Sequence, residues 1–174
     1  MAARDRDPSG RPRNARPRDA SGRPLPHGAA GVERVPEDLV LTSDEAVTEA
    51  QRLLDADLPF AAHEVLEGAW KAAPAAEREL WRGLAQLAVG LTHAQRGNAR
   101  GAVALLSRAA DRIGSWSERV PAGLDPSGLA AWAAALADRI ERAEALDLDA
   151  TDLRPSLRAA APPDRGRIPA ADGG

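Results

Sequence analysis

The chain has 174 residues, with 23 Lys and Arg against 26 Asp and Glu and no Cys. This length suits one domain with tails. The missing Cys excludes disulfides, thiolate chemistry and Cys-based zinc sites, a composition expected of a cytoplasmic protein. No stretch reaches the roughly 18 apolar residues that span a bilayer, and the N-terminus lacks the apolar core of a signal peptide, so no membrane partner is expected.

The net charge of −3 is unevenly spread. Residues 1–34 carry eight Arg and four acids, whereas residues 35–150 carry eleven basic and nineteen acidic groups. An acidic body argues against a nucleic-acid platform. Ala and Leu dominate the apolar residues, aromatics are 3%, and β-branched runs are absent. These are helix formers, so an all-α fold is expected: a compact antiparallel bundle of about five helices over residues 36–150. Residues 1–35 and 151–174 read as disordered tails.

Residues 1–35 are rich in Arg, Pro and Gly and have no apolar period. Arg11-Pro12-Arg13-Asn14-Ala15 is followed at once by Arg16-Pro17-Arg18-Asp19-Ala20. A solvated tail is the plainest reading. The alternatives are an arm docked on an acidic partner, on the protein's own acidic body, or on nucleic acid. Asp5, Asp7 and Asp19 dilute the charge, and no aromatic is present to stack on bases.

The first helix is expected at about 44–55. Thr42 and Glu45 suit a capping box, and Ala46, Ala50, Leu53 and Leu54 form the apolar stripe. Pro59 suits the first turn of a second helix running to about 72. Pro74 is expected to open a third helix, about 75–96, with Leu80, Leu84, Leu87, Leu91 and Ala94 inward. Gly97 suits a left-handed cap, and Asn98 caps a fourth helix at about 99–115, with Val103, Leu106, Ala110 and Ile113 inward. A loop over 121–127 leads to a fifth helix, about 126–146, with Leu129, Trp132, Leu136 and Ile140 inward. Trp81, Trp116 and Trp132 read as core or junction anchors.

Chemistry is concentrated on the second and third helices. At about 100° per residue, Phe60, His63, Glu67 and Trp70 share one face. Glu64 lies three residues before Glu67. On the third helix Arg82, Gln86 and His93 form a polar stripe opposite the Leu face, with Val89 on it and Gly83, Ala85 and Gly90 on or beside it. Small residues let another helix come close, so this stripe is expected to face the polar face of the second helix. Three readings follow. The first is a satisfied buried network joining His63 to Glu67 or Gln86, and Arg82 to Glu64 or Glu67. The second is a divalent metal site of His63, Glu67 and His93, with Glu64 as base or fourth ligand, serving a hydrolase or oxidase. The third is a pocket for a small anion or polar ligand, contacted by Arg82, His63, Gln86 and His93. No serine-hydrolase arrangement and no phosphate-cradling glycine loop is present in the sequence. A homo-oligomer is left open.

The run Phe60-x2-His63-Glu64-x2-Glu67-x2-Trp70, then Gly83-Leu84-x-Gln86-Leu87-Ala88-x4-His93, then Gly97-Asn98-x2-Gly101-Ala102-x2-Leu105-Leu106, resembles domain-of-unknown-function family 309. The resemblance spans about residues 44–113 and implies a compact helical domain. It puts the His-Glu segment on one helix and the Gly-Leu-x-Gln segment on the next. It singles out His63, Glu64, Glu67, Trp70, Gln86 and His93 as signature positions and assigns them no role.

Overall fold

The structure is a computed structural model, and it describes residues 16–32, 36, 40–143 and 148–159. It holds five helices: α1 Ser43–Asp55, α2 Pro59–Ala72, α3 Arg78–Gln95, α4 Ala99–Gly114 and α5 Pro126–Arg142. β structure among the described residues is limited to two isolated antiparallel bridges. No helix among the described residues is long and apolar enough to cross a membrane.

The caps explain where the helices begin and end. The Thr42 hydroxyl accepts from Glu45 N, and the Glu45 carboxylate accepts from Thr42 N at 2.8 Å, so the capping box forms as expected. Asn98 and Asp125 cap α4 and α5 by accepting from Gly101 N and Gly128 N. Pro74 does not open α3. It starts a turn closed by Glu77 N donating to Pro74 O, and the helix begins at Arg78. α3 ends as its sequence suggests: Gly97 has φ +75°, and Asn98 N donates to His93 O. α1 ends in the same geometry with Asp57 in the glycine position, at φ +60°. Asp57 N and Leu58 N donate to Leu54 O and Leu53 O. An Asp tolerates this left-handed conformation better than most residues, but at some strain.

α3 is the central element. It packs on α2 and α4, α4 packs on α5, and α1 packs on α2. Eleven of its 18 residues are buried, so it is enclosed on most sides and open along one strip. Leu80, Leu84, Leu87 and Leu91 form the core ridge with at most 1% exposure, joined by Leu106 and Ile113 of α4 and Leu129 of α5. Gly83 and Gly90 do admit a close helix, but that helix is α4. A Cβ on Gly83 would lie 2.8 Å from Ile113, and one on Gly90 would lie 2.9 Å from Leu106. The spacing of the small residues beside the polar stripe predicts this close approach for α2, but α4 fills the groove.

Segments that read as tails carry defined contacts. Leu157 is fully buried and Pro155 is buried. Gln51 ties this segment to α1: its amide nitrogen donates to Pro155 O, and its amide oxygen accepts from Leu157 N. Arg158 reaches Asp44 and Thr48, and Arg154 makes a two-pronged pair with Asp57. Leu148, Leu153 and Leu157 pack on or within the core, which explains why residues 148–159 lie on the bundle rather than in solvent. Residues 16–32 also lie on the bundle, over the start of α2. Tail residues 1–15 and 160–174 lie outside the described residues.

Candidate functional site

The outer strip of α2 begins at Phe60, whose ring is partly buried between two arginines. The Arg18 guanidinium lies 5.1 Å from the ring centroid and that of Arg96, just past α3, lies 6.0 Å from it. The first of these comes from a small hairpin. Asp19-Ala20-Ser21-Gly22 makes a tight turn, with Gly22 N donating to Asp19 O and Asp19 N to Arg23 O. Arg18 and Pro24 form the bridge that flanks it. The Asp19 carboxylate accepts from Ser21 Oγ and Arg23 N, which holds the turn shut. These hydrogen bonds lower the Asp19 pKa against an opposing effect of burial.

Gly22 carries the contact. It is buried at φ +75°, and a Cβ there would fall 2.3 Å from the Phe60 ring. A side chain would therefore be strained by the backbone and excluded by the aromatic. Arg96 Nε donates to Ser21 O at 2.7 Å, and Arg23 donates back to Arg96 O. Arg18 also donates to Gly22 O. Between hairpin and helix lies a cavity of about 20 Å³, lined by Arg18, Asp19, Val32, Phe60 and Glu64 among others, room for about one water.

His63, one turn further on, has a side chain 24% exposed. Its ring lies 6.1 Å from that of Phe60. Burial pushes the imidazole pKa down, the Glu67 charge opposes this, and Lys71 adds to it. The ring is therefore neutral at neutral pH. Glu67 lies 3.6 Å from His63 Nε2, too far for a hydrogen bond, while Lys71 Nζ holds its other oxygen at 2.8 Å. The Lys71 hydrogen bond lowers the Glu67 pKa. His63 Nδ1 is buried without a hydrogen-bond partner among the described residues, and so is Gln86 Oε1 on α3. Trp70 is partly buried and packs against the core.

The remaining signature residues go elsewhere. Arg82 is exposed and lies 3.6 Å from Glu79, so it stands outside any buried cluster. Arg112 of α4 also pairs with Glu79. His93 Nδ1 meets the Asn98 amide nitrogen at 2.7 Å. Because Asn98 Oδ1 accepts from Gly101 N, the amide must donate to His93, which places the His93 proton on Nε2. His93 thus braces the cap of α4. The metal reading needed His63, Glu67 and His93 to converge, and the buried-network reading needed Arg82 inside. Among the described residues no group of three or more His, Cys, Asp or Glu is placed to hold a metal ion.

Residues 47–105 match the model of the family described as Domain of unknown function (DUF309). No curated protein and no solved structure matches the chain. The matched span runs from α1 into α4, so it holds Phe60, His63, Glu64, Glu67, Gln86 and His93. It omits the 16–32 hairpin segment and α5.

One feature of this site was missed in the sequence. Asp19-Ala20-Ser21-Gly22 carries the signature of a tight turn closed by a left-handed glycine, which the average composition of residues 1–35 conceals. A second concavity, about 370 Å³, lies between the α1–α2 turn, the end of α3 and residues 148–153. None of the signature residues lines it.

Proposed function

We propose that this domain is a non-enzymatic recognition module whose binding face is the first half of α2 with the end of α3, built on Phe60, His63, Glu64 and Arg96. The observation that carries this reading is the 16–32 segment lying across Phe60. A face that accepts a polypeptide through a cation–aromatic contact and backbone hydrogen bonds has the chemistry of a protein-binding surface. The neutral, half-buried His63 next to it supplies a polar atom at the edge of the aromatic patch.

Releasing the segment tests the proposal. Gly22→Val in the full chain combines a disfavoured φ with a clash on Phe60. Trypsin cuts poorly before proline, so Arg18–Asp19 is the reporter bond within 16–32. The expected result is faster cleavage at that bond with an unchanged helical circular dichroism spectrum and a melting temperature within a few degrees. A variant that loses its helices together with the contact would contradict the reading, because the segment would then be part of the bundle's fold.

A second reading rests on His63 Nδ1 and Gln86 Oε1, buried polar atoms without partners among the described residues. A small polar ligand reaching either atom would satisfy it. Native mass spectrometry of the purified chain checks this: a bound small molecule lost in Gln86→Leu supports it, and ligand-free protein contradicts it.

A further inference from the structure

We infer that the concavity between the ends of α1 and α3 and residues 148–153 binds a small primary amine in its protonated form. This site is separate from the α2 face and does not depend on it. Its volume of about 370 Å³ lies within the range of small-molecule sites. Leu54, Pro59, Leu148 and Leu153 supply its apolar surface. The outer wall, a short 3₁₀ turn at Ala150–Leu153, is tied down at two points. Arg154 makes its two-pronged pair with Asp57 at 2.9 and 2.7 Å, and Asp152 accepts from both ends of the Arg139 guanidinium at 2.6 and 2.8 Å. The walls are therefore in place before a guest arrives.

The polar part of the lining sets the charge of the guest. α1 ends at Asp55 and α3 at Gln95, and the last turns of both helices line the cavity. Each helix C-terminus carries about half a negative charge. Asp57 is the one charged residue among the described residues of the lining. Arg154 does not cancel this field alone, because Asp55 also acts on its charge. Arg96, next to Gln95, is engaged by Ser21 O and is not part of the lining.

Gln95 fixes where the N–H of the guest goes. Its Nε2 donates to Asp57 O at 2.9 Å. That carbonyl can only accept, so the amide cannot flip, and Oε1 is left as an acceptor. Oε1 is buried with no hydrogen-bond partner among the described residues. Gln95 lines the cavity and is only partly buried, so a small turn about its last side-chain bond presents the oxygen to a guest. The side-chain groups of the lining with capacity to spare, the Asp57 carboxylate and Gln95 Oε1, are both acceptors. An ammonium has three donors and no acceptor, which suits them, whereas a carboxylate or phosphate does not.

The probe is benzylammonium, titrated to about 10 mM into the isotope-labelled full chain and followed by two-dimensional amide NMR, with benzyl alcohol and benzoate run in parallel. Expected are saturable shifts at Gly97, the Gln95 side-chain amide and the amides of residues 148–153, with Kd on the order of 1 mM. Benzyl alcohol should bind about ten-fold more weakly and benzoate not at all. Gln95→Leu should weaken benzylammonium binding by about ten-fold, and Asp57→Asn by about three-fold. The order of the three probes on the native chain reads the inference even where a variant fails to fold. No saturable shift by about 10 mM overturns it, as does equal binding of the three probes or unchanged affinity in Gln95→Leu. Shifts centred instead on Asp44, Glu45 and Glu49, the acids of another surface concavity on α1, overturn it too.

Discussion

The α3–α4 contact and the outer face of α2 are built on opposite terms. Between α3 and α4, Leu84, Leu87, Leu91, Leu106 and Ile113 are buried to 1% exposure or less, and two glycines bring the backbones together. Along α2, Phe60, His63 and Trp70 are only partly buried, His63 Nδ1 lacks a partner among the described residues, and the 16–32 segment is held through one aromatic ring and a few hydrogen bonds. The first region has the many apolar contacts that make unfolding cooperative. The second has few, so it can open while the rest stays folded. His63, whose Nδ1 is buried without a hydrogen-bond partner among the described residues, belongs to the second region.

Truncation should separate the two regions most clearly. Leu84→Ala should lower unfolding free energy by about 2–5 kcal/mol in urea, whereas Phe60→Ala should cost under about 2 kcal/mol and free the hairpin. Equal costs would mean that the hairpin belongs to the core. Gly90→Val comes next. Its Cβ would press on Leu106, and overpacking should cost about 1–3 kcal/mol, read as a lower urea midpoint with no change in 16–32 exchange.

The α1–α2 turn sharpens the comparison by a smaller margin. Asp57→Asn removes the pair with Arg154 and keeps a residue that tolerates φ +60°, so it should cost at most about 1 kcal/mol. Asp57→Val adds a branched side chain in that conformation and should cost about 1–2 kcal/mol more. Equal melting temperatures for the two would show that the turn relaxes.

Acid gives the smallest effect, and its sign is fixed by His63. Burial lowers the folded pKa below its ordinary 6.5, so the unfolded chain takes up the proton first. Stability is complete above the unfolded value and falls as pH drops through 6.5 towards the folded one, by at most about 1.4 kcal/mol per pH unit. His63→Gln should flatten that limb of the stability curve between pH 7 and 5. A curve unchanged by the substitution would show that the imidazole is hydrated. Glu67, whose pKa is lowered mainly by Lys71, acts with the same sign at more acid pH.

Burial patterns were legible in the sequence because they repeat. Leucines at helical spacing, the Thr42–Glu45 box and the Gly97-Asn98 stop and start each depend on neighbours within a turn or two, and each stands where the spacing put it. What failed depended on distant partners. Helical angles put Gly83 and Gly90 beside the polar stripe but could not say whether α2 or α4 would fill the groove. The spacing of Arg82, Gln86 and His93 showed a shared face, yet Glu79 and Asn98 claim two of the three through local contacts. The segments holding Gly22 and Leu157 were judged by average composition, which conceals a single glycine placed for a turn and a single leucine placed for the core.

Native-state hydrogen exchange of the unmodified full chain tests the central claim most directly. Amides of Asp19, Gly22, Leu25 and Val32 should exchange through an opening of lower free energy than the slowest amides of α3 and α4, with low denaturant dependence. Exchange of these amides only with global unfolding, at the free energy and denaturant dependence of the α3–α4 core, would contradict a face that opens on its own.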